Sequence, residues 1–369
     1  MNQRSSCRRN SSVELLRILA MFFIVLSHSS VHGNFPIVPS SMFVNNIFLD
    51  WCVLGNLGVD LFLIITGYFL CLKENTIKSL RLLHSQVIFY SILGLIVAFI
   101  LNIALSVKAI IISLFPVLFK EYWFFTAYIV LLLLSPYVNI FLNTITKKQF
   151  QSCLLLMLFL WAILPTFTTC SMYGAELAQF MLLYMLGAYI RKYPQNVMSH
   201  FKVRFSITFL SFVLLFLSSV VFRMLGESIP LFLKYSTYFY GRNSLLTIFC
   251  AIGLFTLSIY KKPFYNNRIN VFSSCTFGVY LIHENIIVRE ILWEKWFPNF
   301  LHYNSEWLIF YIIGSVLLVF LSCIVVEYIR KRFFEKYCLK LYMCVFDRVD
   351  IIFRSIKCGI VSRMKTLCR

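Results

Sequence analysis

Long apolar stretches, ten in all, divide this chain of 369 residues and constrain its fold more than any other feature. A helical stretch of about 20 apolar residues matches the thickness of a bilayer. Only 13% of the residues are charged and 60% are hydrophobic, which is too little charge for a water-soluble protein of this size. The predicted fold class is therefore all-α, a polytopic membrane protein with about ten transmembrane helices. The predicted spans are 13–30, 52–72, 84–106, 122–142, 152–168, 177–190, 204–224, 243–260, 271–288 and 307–329.

The basic residues between these spans predict the orientation of the chain. Most of the 34 Lys and Arg residues fall on the side that holds both termini, and cytoplasmic loops carry such an excess. Both termini are therefore predicted to be cytoplasmic. The formal charge of +19 then reflects orientation and attraction to anionic membrane lipid, so we expect no nucleic-acid partner.

The same pattern predicts three segments. Residues 1–12 form a cytoplasmic N-terminal segment, and residues 13–330 form one transmembrane domain. In residues 331–369, bulky apolar residues alternate with Lys and Arg, which is typical of an amphipathic cytoplasmic tail on a membrane surface. The 12 Cys residues show no metal-binding spacing, and we assign them neither a metal nor a disulfide.

Arg17 and His28 lie on one face of the first predicted helix. The eleven steps between them turn a helix through about 1100°, within about 20° of full registry, and raise it by about 16 Å. An arginine inside the hydrocarbon costs about 3 kcal/mol unless it reaches the surface or a partner. Arg17 either reaches the lipid headgroups or binds a phosphate or pyrophosphate. His28 either bonds to a neighbouring helix or acts as a base near pH 7, as acyl transfer to a sugar hydroxyl requires.

Other ionisable residues are predicted to lie at the depth of His28. Asp60 in the second span has a comparable height, so we hypothesise that it orients or charges His28; the alternative is an acid that faces the outer water. His283 and Glu284 in the ninth span match this depth too, and two ionisable residues inside a span rarely face lipid. Their role is catalytic, acceptor-binding or structural.

Thr66, Gly67 and Tyr68 form a point of close approach that is flanked by hydroxyl groups. Small residues in membrane helices usually mark helix packing, which is the alternative to a role in binding.

Four blocks of residues, in this order, resemble the membrane-bound acyltransferase-3 family. They extend together over residues 11–330. The blocks are Glu14-Leu-Leu-Arg17 through His28, which gives Arg-x10-His; Gly58-Val-Asp-Leu-Phe62 to Thr66-Gly67-Tyr68, where the family usually has Ser in place of Thr66; Tyr122-Trp123-Phe124-Phe125 to Leu134-Ser135-Pro136; and Thr276-Phe-Gly-Val-Tyr-Leu-Ile-His283.

The resemblance implies an integral-membrane transferase of the bacterial plasma (inner) membrane, of the glycan O-acetyltransferase type. An acyl group, commonly acetyl, would pass from cytoplasmic acyl-CoA to a hydroxyl of a cell-surface or envelope glycan. Arg17 would hold the CoA phosphates, and His28 would be the essential base or a transient acyl carrier. Many relatives have a His two residues before the aromatic block's Trp, where this chain has Glu121, so no second catalytic base is assumed there.

These inferences assign the candidate site residues. The catalytic candidates are His28 and Asp60; the acyl-CoA-binding candidates are Arg17, Thr66, Gly67, Tyr68 and Arg81; the acceptor-binding candidates are Tyr122, Trp123, His283 and Glu284. Acyl-CoA is expected as co-substrate with no bound cofactor or metal. The expected partners are acyl-CoA, the glycan acceptor, membrane lipid and glycan-assembly proteins.

Two other functions also fit a chain with many helices and buried polar residues. A transporter or flippase for a lipid-linked glycan would move its substrate without covalent change and without CoA. A structural or sensory membrane protein would use Arg17 and His28 for packing alone.

Overall fold

The computed structural model describes residues 9–35, 42–73, 77–168, 170 and 174–344. Within these residues the chain is helical and contains no strand, as the predicted fold class requires. The α-helices are α1 (Ser11–Val31), α2 (Phe43–Cys52), α3 (Gly55–Leu70), α4 (Ile77–Ile100), α5 (Val107–Leu114), α6 (Trp123–Thr144), α7 (Lys147–Leu158), α8 (Leu164–Thr168), α9 (Ala175–Lys192), α10 (Phe201–Ser228), α11 (Leu245–Ile259), α12 (Asn267–Ser274), α13 (Thr276–His283), α14 (Ile286–Glu290) and α15 (Leu308–Ile329).

Eight helical stretches of the described chain are long and apolar enough to cross a membrane. They are Ser11–Val31, Phe43–Leu70, Ser79–Ile100, Trp123–Thr144, Lys147–Thr168, Phe201–Ser228, Pro230–Ile259 and Leu308–Cys344. A ninth is Asn267–His283 with Ile286–His302, if this pair, bent by 73°, is counted as one span. The polytopic fold is confirmed. The remaining predicted span, residues 177–190, is α9, which carries charges at both ends and packs against α3.

Several helical stretches begin or end away from their predicted positions, and two predicted spans contain a break. The second span begins at Phe43, nine residues early, because α2 and α3 are joined by a short turn. The ninth predicted span, 271–288, is interrupted between α13 and α14. The last helix continues past residue 330 to Cys344, and the rest of the predicted tail lies outside the described residues.

Helix α1 lies at the centre of the molecule. It contacts α3 along much of its length and also packs against α11, α12, α13 and α15. Glycines let these neighbours approach closely: a Cβ at Gly58 would meet the backbone of Ala20 in α1. The two functional candidates of α1 are therefore surrounded by protein on several sides.

A buried ion pair, which the sequence did not predict, joins α2 to α10. Arg223 donates from Nη2 to Oδ1 of Asp50 over 2.6 Å and from Nε to Oδ2 over 2.8 Å. Ser219 and Ser236 also donate to this carboxylate. A fully bonded carboxylate of this kind explains how a charge is tolerated inside the bundle.

Candidate active site

His28 meets two polar residues of the bent helix pair near one end of the molecule. Nδ1 of His28 lies 2.9 Å from Nε2 of His283 and 3.0 Å from Oε2 of Glu284. The three residues come together because His28 is in the last turn of α1 while His283 and Glu284 stand where α13 ends. These three residues were predicted to lie at the same depth, and in the structure they are in direct contact.

The hydrogen bonds of His283 determine which nitrogen of His28 carries a proton. Nδ1 of His283 lies 2.6 Å from the carbonyl oxygen of Val279, which only accepts, so this nitrogen carries the hydrogen. In neutral His283, Nε2 is then an acceptor. Nδ1 of His28 therefore donates, whether to His283 or to Glu284, and neutral His28 keeps its lone pair on Nε2.

Glu284 is bound from three sides. Its Oε2 lies 3.2 Å from Nε2 of His32, in addition to His28, and its Oε1 accepts from Nη1 of Arg289 over 3.4 Å. The helix break places this carboxylate, and Asn285 beside it caps α14 by accepting from the backbone N–H groups of Ile287 and Val288. Irregular backbone at this depth is tolerated because both residues are buried in protein.

A cavity of about 170 Å³ begins at His28 and continues along α1 to Met21. Its walls come from α1, α3, α4, α6 and α13, and most are apolar or aromatic. The polar groups at its edge include Thr66 and Tyr128, whose hydroxyl oxygens lie 3.1 Å apart. Because cavities for drug-sized ligands have about 300–1,000 Å³, this one suits a slender chain better than a nucleotide or a sugar ring.

Arg17 lies one helical turn from Met21, beyond the end of this cavity. Its Nη1 donates to Oε1 of Glu14 over 2.9 Å, and its guanidinium carbon lies 5.8 Å from the centre of the Phe69 ring. The side chain is 30% exposed. It can therefore reach a bound anion without leaving α1, although Glu14 competes for it.

The three neighbouring candidates of α3 have different surroundings. Thr66 lines the cavity and donates to the carbonyl of Phe62. Gly67 packs on α9, where an added Cβ would meet the backbone of Tyr184. The Tyr68 hydroxyl accepts from Arg191 over 3.0 Å. Only Thr66 of the three thus lines the cavity.

Arg81, the remaining acyl-CoA candidate, is exposed near the first turns of α4. It does not line the cavity, so a contact with the donor would have to occur at the surface.

Asp60 does not bond to His28, and the predicted pairing of these residues is wrong. Asp60 is fully buried in α3, and neither carboxyl oxygen has a hydrogen-bond partner in the described structure. The physical reason is the direction in which the Asp60 side chain points around α3. Gly58 faces α1, and two further residues rotate a helix by about 200°, which turns Asp60 away. Glu284 takes the place beside His28 that the prediction gave to Asp60.

The two aromatic candidates at the start of α6 also have different surroundings. Trp123 lines the cavity, and the guanidinium of Arg242 stacks on its ring at 4.2 Å. Tyr122 is buried beside it, donates to the carbonyl of Leu281 and accepts from Asn285. The Tyr122 hydroxyl therefore holds the bent helix pair in place.

Glu121, just before α6, is a partly buried acid near the break. Its carboxylate accepts from Ser91 and, over 3.1 Å, from Asn285. Burial raises the pKa of Glu121 to about 7, although Ser91 and the charge of Arg289 act in the opposite direction. This position therefore titrates near neutral pH, in the range of a histidine.

A much larger cleft, of about 1160 Å³, lies between α7, α9 and α11. Six of its fifteen lining residues are leucine or isoleucine, and the polar ones include Lys147 and His200. It contains none of the residues that the sequence singled out. We place the chemistry in the smaller cavity because that one contains the His28 imidazole.

One set of described residues could hold a metal ion. Nδ1 or Nε2 of His28 and of His32 and a carboxylate oxygen of Glu284 lie within 4.8 Å of one another. Two histidines and a glutamate are a familiar ligand set for zinc.

Two residues of this site, His32 and Arg289, were not among the predicted site residues. A signal for His32 was present, since residues four apart on a helix share a face and His32 follows His28 by four. Arg289 had no such signal, because its contact with Glu284 depends on the helix break.

One of three comparisons with known proteins gives a match, and it is with a protein family. The family model Acyl_transf_3, described as an acyltransferase domain, matches residues 10–327. No curated protein and no solved structure matches the chain. The matched part contains both helices of the His28 site and almost all of the membrane-spanning region.

Proposed function

Because the chain belongs to the acyltransferase-3 family, we propose that it moves an acetyl group from cytoplasmic acetyl-CoA to a hydroxyl of an envelope or cell-surface glycan. The protein is a multi-pass membrane acyltransferase. Its proposed location is the bacterial plasma membrane, with both termini in the cytoplasm. Membrane lipid surrounds it, and glycan-assembly proteins would deliver the acceptor.

One observation carries this proposal: protein groups bind Nδ1 of His28, and the residue lines the cavity. Hydrogen bonds to His283 or Glu284 occupy Nδ1, which leaves the lone pair of the neutral ring on Nε2. A positioned neutral imidazole is the group most often used to take a proton from a hydroxyl.

The donor would enter from the Arg17 end of the cavity. The guanidinium of Arg17 would bind CoA phosphate, for which a planar fork of donors is well suited. Exposed Arg81 would add positive charge at the surface, and Thr66 would line the path of the acyl-bearing arm. The narrow cavity from Met21 to His28 supports this route because a pantetheine arm is slender while the nucleotide is not.

The transfer step would then use Nε2 of His28 as a general base. Nε2 takes the proton of the acceptor hydroxyl as its oxygen attacks the thioester carbon. The carbon–sulfur bond breaks, the ester forms, and the imidazolium returns the proton to the CoA thiolate. If His28 instead carries the acyl group for a time, the same nitrogen would form the bond.

Glu284 would stabilise the imidazolium during this step. A carboxylate 3.0 Å from Nδ1 both orients the ring and offsets its positive charge, as in other acyl-transfer sites. His283 would keep the ring in register from the other side. Trp123 in the cavity wall would contact the acceptor only where its reacting hydroxyl reaches into the cavity.

A transfer assay with labelled donor tests this function against the transporter. Membranes that contain the protein would be incubated with acetyl-CoA labelled in the acetyl group, and the glycan fraction would be isolated. We expect label in the glycan that mild base releases, as an ester requires. Translocation of unlabelled glycan with no label incorporated would contradict the proposal and favour the transporter.

A further inference from the structure

His28, His32 and Glu284 form a compact set of donor atoms that the proposed acyl transfer uses only in part. The two histidines are one turn apart at the end of α1, and the glutamate comes from the break between α13 and α14. Oε2 of Glu284 lies 3.0 Å from Nδ1 of His28 and 3.2 Å from Nε2 of His32.

These separations are close to those around a tetrahedral zinc ion. Zinc binds histidine nitrogen and carboxylate oxygen at about 2.0–2.2 Å, so neighbouring ligand atoms lie about 3.3–3.5 Å apart. Displacements of a few tenths of an ångström would open the two measured contacts to that spacing. All three donor atoms lie within 4.8 Å of one another, so the two histidine nitrogens have to approach each other by about 1.5 Å at most to reach that spacing.

Arg289 provides the outer support that metal ligands usually have. It donates to Oε1 of Glu284, the oxygen that does not contact the histidines. Oε2 stays available to a cation, and the carboxylate is held in one orientation. Such outer partners typically contribute 10–100-fold to metal affinity.

A small polar pocket gives a cation access to this set. The pocket has a volume of about 160 Å³, and His32 forms part of its wall. Glu290, Glu294 and Arg289 also line it, so two acidic groups stand against one basic group, and the balance favours a positive ion. It lies on the His32 side of the cluster, whereas the cavity described above begins at His28.

We propose that His28, His32 and Glu284 bind Zn²⁺ as an inhibitory site, with a water from the polar pocket in the fourth position. The inhibition rests on the proposed function. Zinc on Nδ1 of His28 replaces the hydrogen there, and this hydrogen moves to Nε2 of the same neutral ring. No proton is lost overall, but Nε2 no longer has a lone pair to accept the acceptor's proton.

Zinc content and transfer rate, measured side by side on full-length protein in detergent, test this inference. Protein stripped with a chelator would be loaded with ZnCl₂, freed of excess metal and analysed by mass spectrometry for zinc. We expect one zinc per chain and a transfer rate that falls at least tenfold at saturation. His32→Ala and His32→Gln should bind zinc at least tenfold more weakly and resist inhibition, each relative to its own zinc-free rate.

His302→Ala is the matched control, because this histidine packs on Tyr311 outside the cluster. It should bind and respond to zinc as the wild type does. Equal zinc content in wild type and both His32 variants, or a transfer rate that zinc leaves unchanged or raises, would overturn the inference. Zinc is measured without acyl transfer, so protein that binds it but transfers no acetyl supports the site and contradicts the proposed function.

Discussion

Nδ1 of His28 is bound by protein, and the residue lines the cavity, which together underlie its proposed role. The residues that bind Nδ1, His283 and Glu284, are 255 and 256 positions away in the sequence. Each is buried, so neither is exchanged for water while the ring works. Substitutions at these positions should therefore affect the chemical step more than donor binding.

Glu284→Gln tests whether the carboxylate beside His28 affects the chemical step more than donor binding. The amide keeps the size of the side chain but cannot offset the charge of an imidazolium, and its NH₂ group can face Nδ1 of His28 and favour the wrong tautomer. We expect kcat to fall by about 10²-fold or more, with little change in KM for acetyl-CoA. Steady-state kinetics on purified protein measure both.

Asp60→Asn is the control for that variant, because Asp60 is a buried acid with no hydrogen bond to His28. Its kcat should fall much less than that of Glu284→Gln. The reverse order would show that Asp60, and not Glu284, supports the histidine.

Arg17→Gln tests the donor end of the cavity. Loss of a charge-assisted bond to phosphate, worth about 1.5–3 kcal/mol, should raise KM for acetyl-CoA by about tenfold or more with a smaller change in kcat. With acetyl-pantetheine, which lacks the nucleotide phosphates, variant and wild type should have the same KM. Arg268→Gln, at an exposed basic residue of α12, is the control. An equal effect with both donors would refute the assignment of Arg17 to phosphate.

The sequence predicts the depth of a residue in the membrane better than the direction in which its side chain points around the helix. Rise per residue correctly brought His28, His283 and Glu284 to one level, since height depends only on position along a helix. Depth could not distinguish Asp60 from Glu284, because the way a side chain points around its helix depends on packing. Gly58 provides that information only after its contact with α1 is known.

At the scale of elements, the spans were predictable and their breaks were not. Apolar length locates a helix, but the turn between α2 and α3 and the 73° bend after α13 occur inside apolar sequence. The bend is stabilised by distant partners, since Tyr122 and Glu121 bond to Asn285 there. A local sequence pattern does not contain such contacts.

The contact of α3 with α9 is the element-level prediction. Gly67→Ala places a Cβ against the Tyr184 backbone, so the helices must move apart. Overpacking of this kind costs about 1–3 kcal/mol, and we expect a lower Tm in detergent. Gly314→Ala is matched, since a Cβ there meets nothing within 4 Å, and its Tm should not fall. Equal melting temperatures for both variants would contradict the close packing.

In the whole molecule, α1 lies in the middle of the helix bundle. With α1 packed among α3, α11, α12, α13 and α15, the line from Arg17 to His28 runs beside a cavity and not along a lipid-facing surface. The composition predicted that the protein spans a membrane, and the basic loops predicted on which side of it the termini lie. The family match over residues 10–327 adds the class of reaction.

The ester content of the host's surface glycan in cells that carry His28→Ala tests this account most directly. Cells that lack the protein would receive wild type, His28→Ala or His302→Ala, with membrane abundance checked for each. We predict normal glycan acetylation with wild type and His302→Ala, and acetylation at the level of protein-free cells with His28→Ala. Normal acetylation in the presence of abundant His28→Ala protein would contradict the central claim that this imidazole performs the transfer.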